Sequence, residues 1–314
     1  MTVHEIRLRR MAQQHLLQKA DKMTVVRNLC GVQAQFLGNA MHSLKIRCLP
    51  DDQPTSFGLV KNWTVRGTVH VLAEEDLPLF ITREIYRVDD WSIPCFWNRR
   101  PDWALTPLRQ TELSRIILSA LENSALTREE LKELCRRNGM TEAEEGSMFH
   151  PWGGGIRQLC ERGFMHGVVS EEKAYCLTKE FVPLSAEEAG LELARRYFTH
   201  LGPATIHDAM YFFGAKATQV KKWLKELQVT ETECEGRRYY HIETGIGVAG
   251  EIPRCVFLAG FDQLLLGYEK KESLILSEEH LRRIFNLAGI VMPAVLLDGV
   301  VAGRWKKTGR KLKV

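Results

Sequence analysis

The stretch LSRIILSALENSALTREELKELCRRNG at 113–139 decides the fold. Leu113, Ile116, Ile117, Ala120 and Leu121 recur at the spacing of one helix face. Thr127 stands where a second helix begins, and Glu130 three residues on completes a capping box. Asn138-Gly139 supply its stop. A third helix is predicted over 155–161, and residues 164–169 and 174–177 read as two strands about a turn. Three helices followed by a hairpin are the order of a winged helix.

The same order recurs downstream. Leu191, Ala194, Phe198 and Leu201 form a first helical face, Thr205 caps a short helix that stops at Gly214, and 220–227 is the third helix. Residues 229–233 and 238–242 flank a turn at Glu235-Gly236. A less regular copy lies at the N-terminus, where Leu8, Ala12 and Leu16 are spaced by helical turns and Thr24 is expected to cap the helix carrying Val25, Val26 and Leu29. Residues 59–63 are expected to lead into a strand at 65–72 as the third helices lead into the other wings. Extra sequence, 31–54, separates cap from wing in this copy alone, which is where function is often grafted. The last residues differ: 255–258 and 291–297 are strand-like, Asp298-Gly299 is a two-residue hairpin signal, and 311–314 alternate. The reading is an α+β, mainly helical protein of three tandem winged-helix (helix-turn-helix) motifs with C-terminal β-hairpin elements. Its parts are 1–104 with the inserted segment, 105–184, 185–250 and a β-rich region, 251–314.

The 314 residues are 45% hydrophobic and 26% charged, which excludes disorder and collagen-like structure. A net charge of +4 is too weak alone to prove a nucleic-acid partner, so the distribution of charge must decide. Arg304, Lys306, Lys307, Arg310, Lys311 and Lys313 fall within ten residues, and Lys270-Lys271 form a smaller cluster. Such runs are often only solvated faces; beside winged helices they read equally well as phosphate contacts. In the strand at 65–72, Val65, Gly67, Val69 and Val71 share one face, so Arg66, Thr68 and His70 are expected to form an exposed row. The eight cysteines lack C-x-x-C spacing and are expected to be reduced and mostly buried. Gly153-Gly-Gly155 lacks the lysine of a phosphate loop, and no second histidine accompanies His70 at metal-ligand spacing near Glu74, Glu75 and Asp76. No secretory signal or membrane span is expected, since 288–303 is cut by Pro293 and Asp298-Gly299. The expected location is the cytoplasm, at the nucleoid.

Gln33-Ala34-Gln35 is bland by propensity, since glutamines are mostly surface residues. Its setting gives it meaning. VRNLCGVQAQ at 26–35, SLKIR at 43–47, WTVRGTVH at 63–70 with Glu75-Asp76-Leu77, GPAT at 202–205, Phe261-Asp262 with LLGY at 265–268, and PAVLLDG at 293–299 with Gly303-Arg304-Trp305 resemble, in order, the AlkZ/YcaQ family of winged-helix DNA glycosylases. The resemblance implies a monofunctional glycosylase that removes N7- or N3-alkylated purines, in some members from interstrand crosslinks. It implies no metal or cofactor, double-stranded DNA carrying the lesion as partner, no membrane, and a monomer. Gln33 and Gln35 match the family's glutamine–apolar–glutamine signature and are expected to be catalytic. Arg66, His70, Arg47, Lys270, Lys271, Arg304, Lys306 and Lys307 are expected to contact DNA. One departure is Glu269-Lys270-Lys271 after Tyr268, where the family commonly carries an Asp-Arg pair. A winged-helix transcription regulator without catalysis is the rival reading, and an inactive scaffold a third.

Overall fold

The computed structural model describes residues 1–51, 57–64, 66–92, 98–244 and 250–314. It is α+β, and its backbone packing divides the chain into two units. One comprises Met1–Gln53, His70–Ala73 and Gly190–Val314; the other comprises Pro54–Val69 and Glu74–Ala189.

In the second unit, helix Pro107–Leu121 buries Leu113, Ile117 and Leu121. Helix Arg128–Arg137 starts with both halves of the predicted capping box. The Glu130 amide donates to the Thr127 hydroxyl, and the Thr127 amide to the Glu130 carboxylate. A helix not foreseen, Glu142–Met148, follows with its own box of Thr141 and Glu144; it is too short for periodicity to reveal. Helix Gly154–Glu161 then packs so closely that a Cβ on Gly155 would lie 2.2 Å from the Met148 sulfur. The glycine run is therefore a packing device. Strands Met165–Gly167 and Ala174–Leu177 pair antiparallel as predicted.

Residues 59–63 correct the expectation of a third helix: Leu59–Trp63 is a strand, paired through Lys61 with Gly167. Asn62 explains the choice. Its buried side chain accepts the Trp63 amide and donates to the Cys160 carbonyl, local bonding that competes with a helix.

In the first unit the capping logic repeats, with boxes at Thr2/Glu5 and Thr205/Asp208 and a left-handed stop at Gly214. Helix Lys22–Asn28 begins one turn earlier than expected. Asp21 is its cap, and Thr24 instead donates its backbone amide to the Asp21 carboxylate. Strands Thr230–Cys234 and Arg237–His241 form the predicted hairpin. Cys255–Phe257, Ala294–Leu297 and Val300–Arg304 make a three-stranded sheet, turned at Asp298-Gly299 with both residues at positive φ, as a tight hairpin of this length requires. A separate hairpin pairs Lys306–Thr308 with Lys311–Lys313. Among the described residues no helix is long and apolar enough to cross a membrane.

Two buried ion pairs hold this unit. Arg47 is paired twice with Asp262, at 2.8 and 2.6 Å, and both side chains have zero exposure. The same guanidinium donates to the Gln14 carbonyl and the Ser43 hydroxyl. This corrects the expectation that Arg47 contacts DNA: its charge is already neutralised inside the protein. Arg10 pairs with Asp208 at 3.2 Å and lies 3.7 Å over the Tyr268 ring. Seven cysteines are described; Cys30, Cys135, Cys160 and Cys234 are buried, Cys48 and Cys176 partly so, and Cys255 is exposed. Cys95 lies outside the described residues.

Arg47→Met should cost about 3–5 kcal/mol in urea unfolding, because it strands a buried carboxylate. Arg47→Met combined with Asp262→Asn, which keeps the capping oxygen, should recover more than half of that loss. A second expectation concerns pH. Burial, with His15 and Arg196 nearby, pushes the His200 imidazole down to about 4. A histidine depressed in the fold contributes stability that is complete above its unfolded value, near 6.5, and is lost as pH falls toward 4. His200→Gln should flatten the decline in the free energy of urea unfolding between pH of about 7 and 4.5 by roughly 2 kcal/mol.

Candidate active site

The glutamines sit on a segment that must reverse sharply after helix Lys22–Asn28. Cys30 and Gly31 both adopt positive φ. Only glycine fits the second position, since a Cβ there would lie 2.5 Å from the Leu72 side chain. The chain then forms strand Val32–Gln33, antiparallel to Val69–Ala73, with Val32 opposite Val71 and Gln33 opposite His70. Directly opposed residues project to the same face, so the Gln33 and His70 side chains are neighbours. Gln33 is 7% exposed and His70 has no exposure. The strand ends there. Ala34 is buried, while Gln35 lies in a bend and is exposed. The two amides therefore differ in setting: one is enclosed beside an imidazole, and the other reaches solvent two residues on.

His70 departs from the exposed row that alternation predicts. Residues 66–68 form a turn closed by the Gly67 amide on the Thr64 carbonyl, and the strand begins only at Val69. Val71, Leu72 and Ala73 are buried together with His70, so both faces of the strand are covered. A direct DNA contact by His70 is corrected accordingly; its place is beside Gln33. Arg66 is half-buried in the second unit, and its backbone amide donates to the Thr64 hydroxyl. Val65 lies outside the described residues.

Residues from far along the chain anchor the glutamine segment. The buried Gln263 amide donates to the Leu29 carbonyl at 2.9 Å, fixing the segment's start. Phe36, directly after Gln35, stacks on Phe261 with ring centroids 5.8 Å apart and an interplanar angle of 27°, fixing its end. Sequence reading missed Gln263 and Phe36. The signal for the first was Asp262 as the N-cap of Gln263–Leu266, which fixes where the following glutamine points.

The remaining cations are displayed differently. Lys271 is exposed and Lys270 half-buried, its ammonium 5.7 Å from the Phe285 ring. Their short turn is set by the Glu269 carboxylate, which accepts the Lys271 and Glu272 amides. Arg304, Lys306 and Lys307 are all exposed. In the terminal hairpin Lys306 faces Lys313 across the strands and Thr308 faces Lys311, so one face carries three lysines. Like charges opposed in this way repel, and an anion lying against them relieves the repulsion.

One further pair of reactive groups, His166 and Cys176, is inert. His166 Nε2 lies 2.9 Å from the Cys176 sulfur, and Thr178 meets its other nitrogen. Burial pushes the thiol up and the imidazole down, so both are neutral and the sulfur is no activated nucleophile. Among the described residues no three His, Cys, Asp or Glu side chains gather as a metal-binding group. A mostly apolar cavity of about 480 Å³ in the second unit is lined by Trp63, Phe80, Ile85, Val88 and Arg157 among others, and none of the sequence-selected site residues reaches it.

Comparison with known proteins identifies the family. The chain is 27% identical over 312 residues to an interstrand DNA cross-link repair glycosylase of Streptomyces sahachiroi, covering 92% of this chain and 83% of that protein. The solved structure of the Streptomyces sahachiroi DNA glycosylase AlkZ has the same fold, with a TM-score of 0.76 and 25% identity over 99% of this chain and 90% of that one. The family model described as DNA glycosylase AlkZ-like matches residues 26–313. The chain belongs to the AlkZ-like family of DNA glycosylases, enzymes that hydrolyse N-glycosyl bonds.

Proposed function

We propose that this enzyme is a monofunctional glycosylase for purines alkylated at N7 or N3, including those joined in interstrand crosslinks, the lesion class named for its Streptomyces relative. The observation that carries the reading is the pair of glutamine amides, one enclosed and one exposed, on a segment pinned at both ends. Hydrolysis of a glycosidic bond passes through an oxocarbenium-like state, and poor leaving groups require a carboxylic acid to protonate them. An N7- or N3-alkylpurine already bears positive charge and departs neutral. Orientation of a water and hydrogen bonding to developing charge then suffice, and two amides supply both. The same argument excludes uracil and undamaged bases as good substrates.

In this reading the protein acts as a monomer along duplex DNA. Three winged-helix motifs, 1–104, 105–184 and 185–250, precede the hairpin region 251–314, and the matching capping boxes at Thr127 and Thr205 support the repeat. Arg304, Lys306 and Lys307, with Lys270, Lys271 and Arg66, serve as phosphate contacts that position the duplex without reading its sequence. A regulator would instead discriminate among sites, at about 1–3 kcal/mol per mismatched pair.

Single-turnover release of N7-methylguanine from a labelled duplex tests the chemistry. Gln33→Ala/Gln35→Ala should lower the rate by about 100-fold or more while duplex affinity stays unchanged. Full activity in the double variant would remove the glutamines from the mechanism. Neutralising Arg304, Lys306 and Lys307 to alanine should weaken damaged and undamaged duplexes alike. It should also lower the salt slope of log K by about 2–3, which titrations at several salt concentrations would read directly.

A further inference from the structure

We infer that the outer face of Phe36, seated on Phe261, is the surface against which this enzyme stacks the purine it excises, which makes Phe36 a specificity-determining residue for electron-poor, cationic bases. The inference rests on the alkylpurine reading above and deepens it.

Phe36 follows Gln35 directly, so its backbone lies one residue from an amide assigned to the chemistry. It opens helix Leu37–Lys45 without supplying a side-chain cap, and the residue is 48% exposed. A single exposed aromatic ring is ordinary on a protein surface. This one is held from beneath. Phe261 is buried, and its backbone lies at φ +59, a region that bulky side chains rarely adopt. Its neighbours hold it there. Gly260 has no room for a side chain, because the Asn39 amide and the Val291 carbonyl lie 2.8 and 2.9 Å from where a Cβ would stand. Asp262 is locked by Arg47, and Gln263 by the Leu29 carbonyl. Strained backbone held by its surroundings points to function more than to packing. Its outcome is a supported ring, about half exposed, on the residue directly after Gln35.

The chemistry of the lesion suits that ring. Any unstacked base gains from an aromatic platform, and a base with positive charge gains more, since the π face attracts cations. During cleavage the positive charge moves from the purine to the sugar. The ring therefore favours the bound lesion more than the transition state, and lets go of the neutral base afterwards. Phe36 should act on capture, and the glutamines on the rate of bond breaking.

The test uses full-length wild type, Phe36→Leu and Phe36→Trp. Each is assayed for single-turnover release of N7-methylguanine against protein concentration, and for binding to two duplexes. One duplex is undamaged; the other carries 2′-fluoro-N7-methylguanosine, whose glycosidic bond resists hydrolysis. Leucine keeps the apolar contact with Phe261 but not the π face. Phe36→Leu should raise the half-saturating concentration about tenfold or more. It should leave the maximal rate within about threefold and remove the preference for the lesion duplex without weakening undamaged DNA. Phe36→Trp should match wild type. A leucine variant equal to wild type, or one that loses affinity equally for both duplexes, would overturn the platform while leaving the glycosylase reading intact. Wild-type lesion preference that depends on the ring but comes without base release would uphold the platform and overturn the hydrolysis. Neither release nor preference in wild type would overturn both.

Discussion

The contact between Arg47 and Asp262 is the constraint on which the glutamine segment depends. Both groups are withdrawn completely from water, and such a pair contributes little net stability compared with an apolar replacement. What it contributes is position. Arg47 follows helix Leu37–Lys45, which follows the glutamines; Asp262 sits between Phe261 and Gln263 and caps the short helix after it. One buried pair thereby fixes a three-residue block, and that block holds the start of the segment through Leu29 and its end through Phe36. The ladder to Val71 and His70 holds the middle. The amides can then be presented without a regular element of their own beyond two residues of strand.

Much of the scaffold was legible because its signals are local. Each capping box needs only a threonine and a carboxylate three residues apart, and Thr127 and Thr205 took the roles their spacing predicted. Where two caps compete, spacing alone misleads: Asp21 outranks Thr24 because its carboxylate accepts the amide three residues on. Residues 59–63 were misjudged because their identity depends on the Cys160 carbonyl, nearly a hundred positions away, which recruits Asn62. The glutamines were legible as a motif through resemblance. Their unequal burial was not, because it depends on where the strand stops.

Charge shows the same division between local and distant information. Arg10, Arg47 and Lys306 are alike in a composition count. The structure spends the first two internally, against Asp208 and Asp262, and leaves the third on a bare hairpin. The count of 43 basic residues is thus a poor guide to the field a duplex would meet, since internally paired cations add little to it. Alternation failed at His70 for a related reason. It assumes a strand with one wet face, and from His70 to Ala73 this strand has none.

The terminal hairpin has a consequence for how the free protein behaves in concentrated solution. Two short strands with exposed backbone edges invite pairing with the same strands of another molecule, the first step toward association through β-structure. Lys306, Lys307, Lys311 and Lys313 make that encounter repulsive, and Arg310 adds charge at the turn. The cations assigned to phosphates would therefore also keep the protein monodisperse. Variants that neutralise them, or high salt that screens them, should favour self-association through this edge, which links solubility and DNA affinity in one small structure.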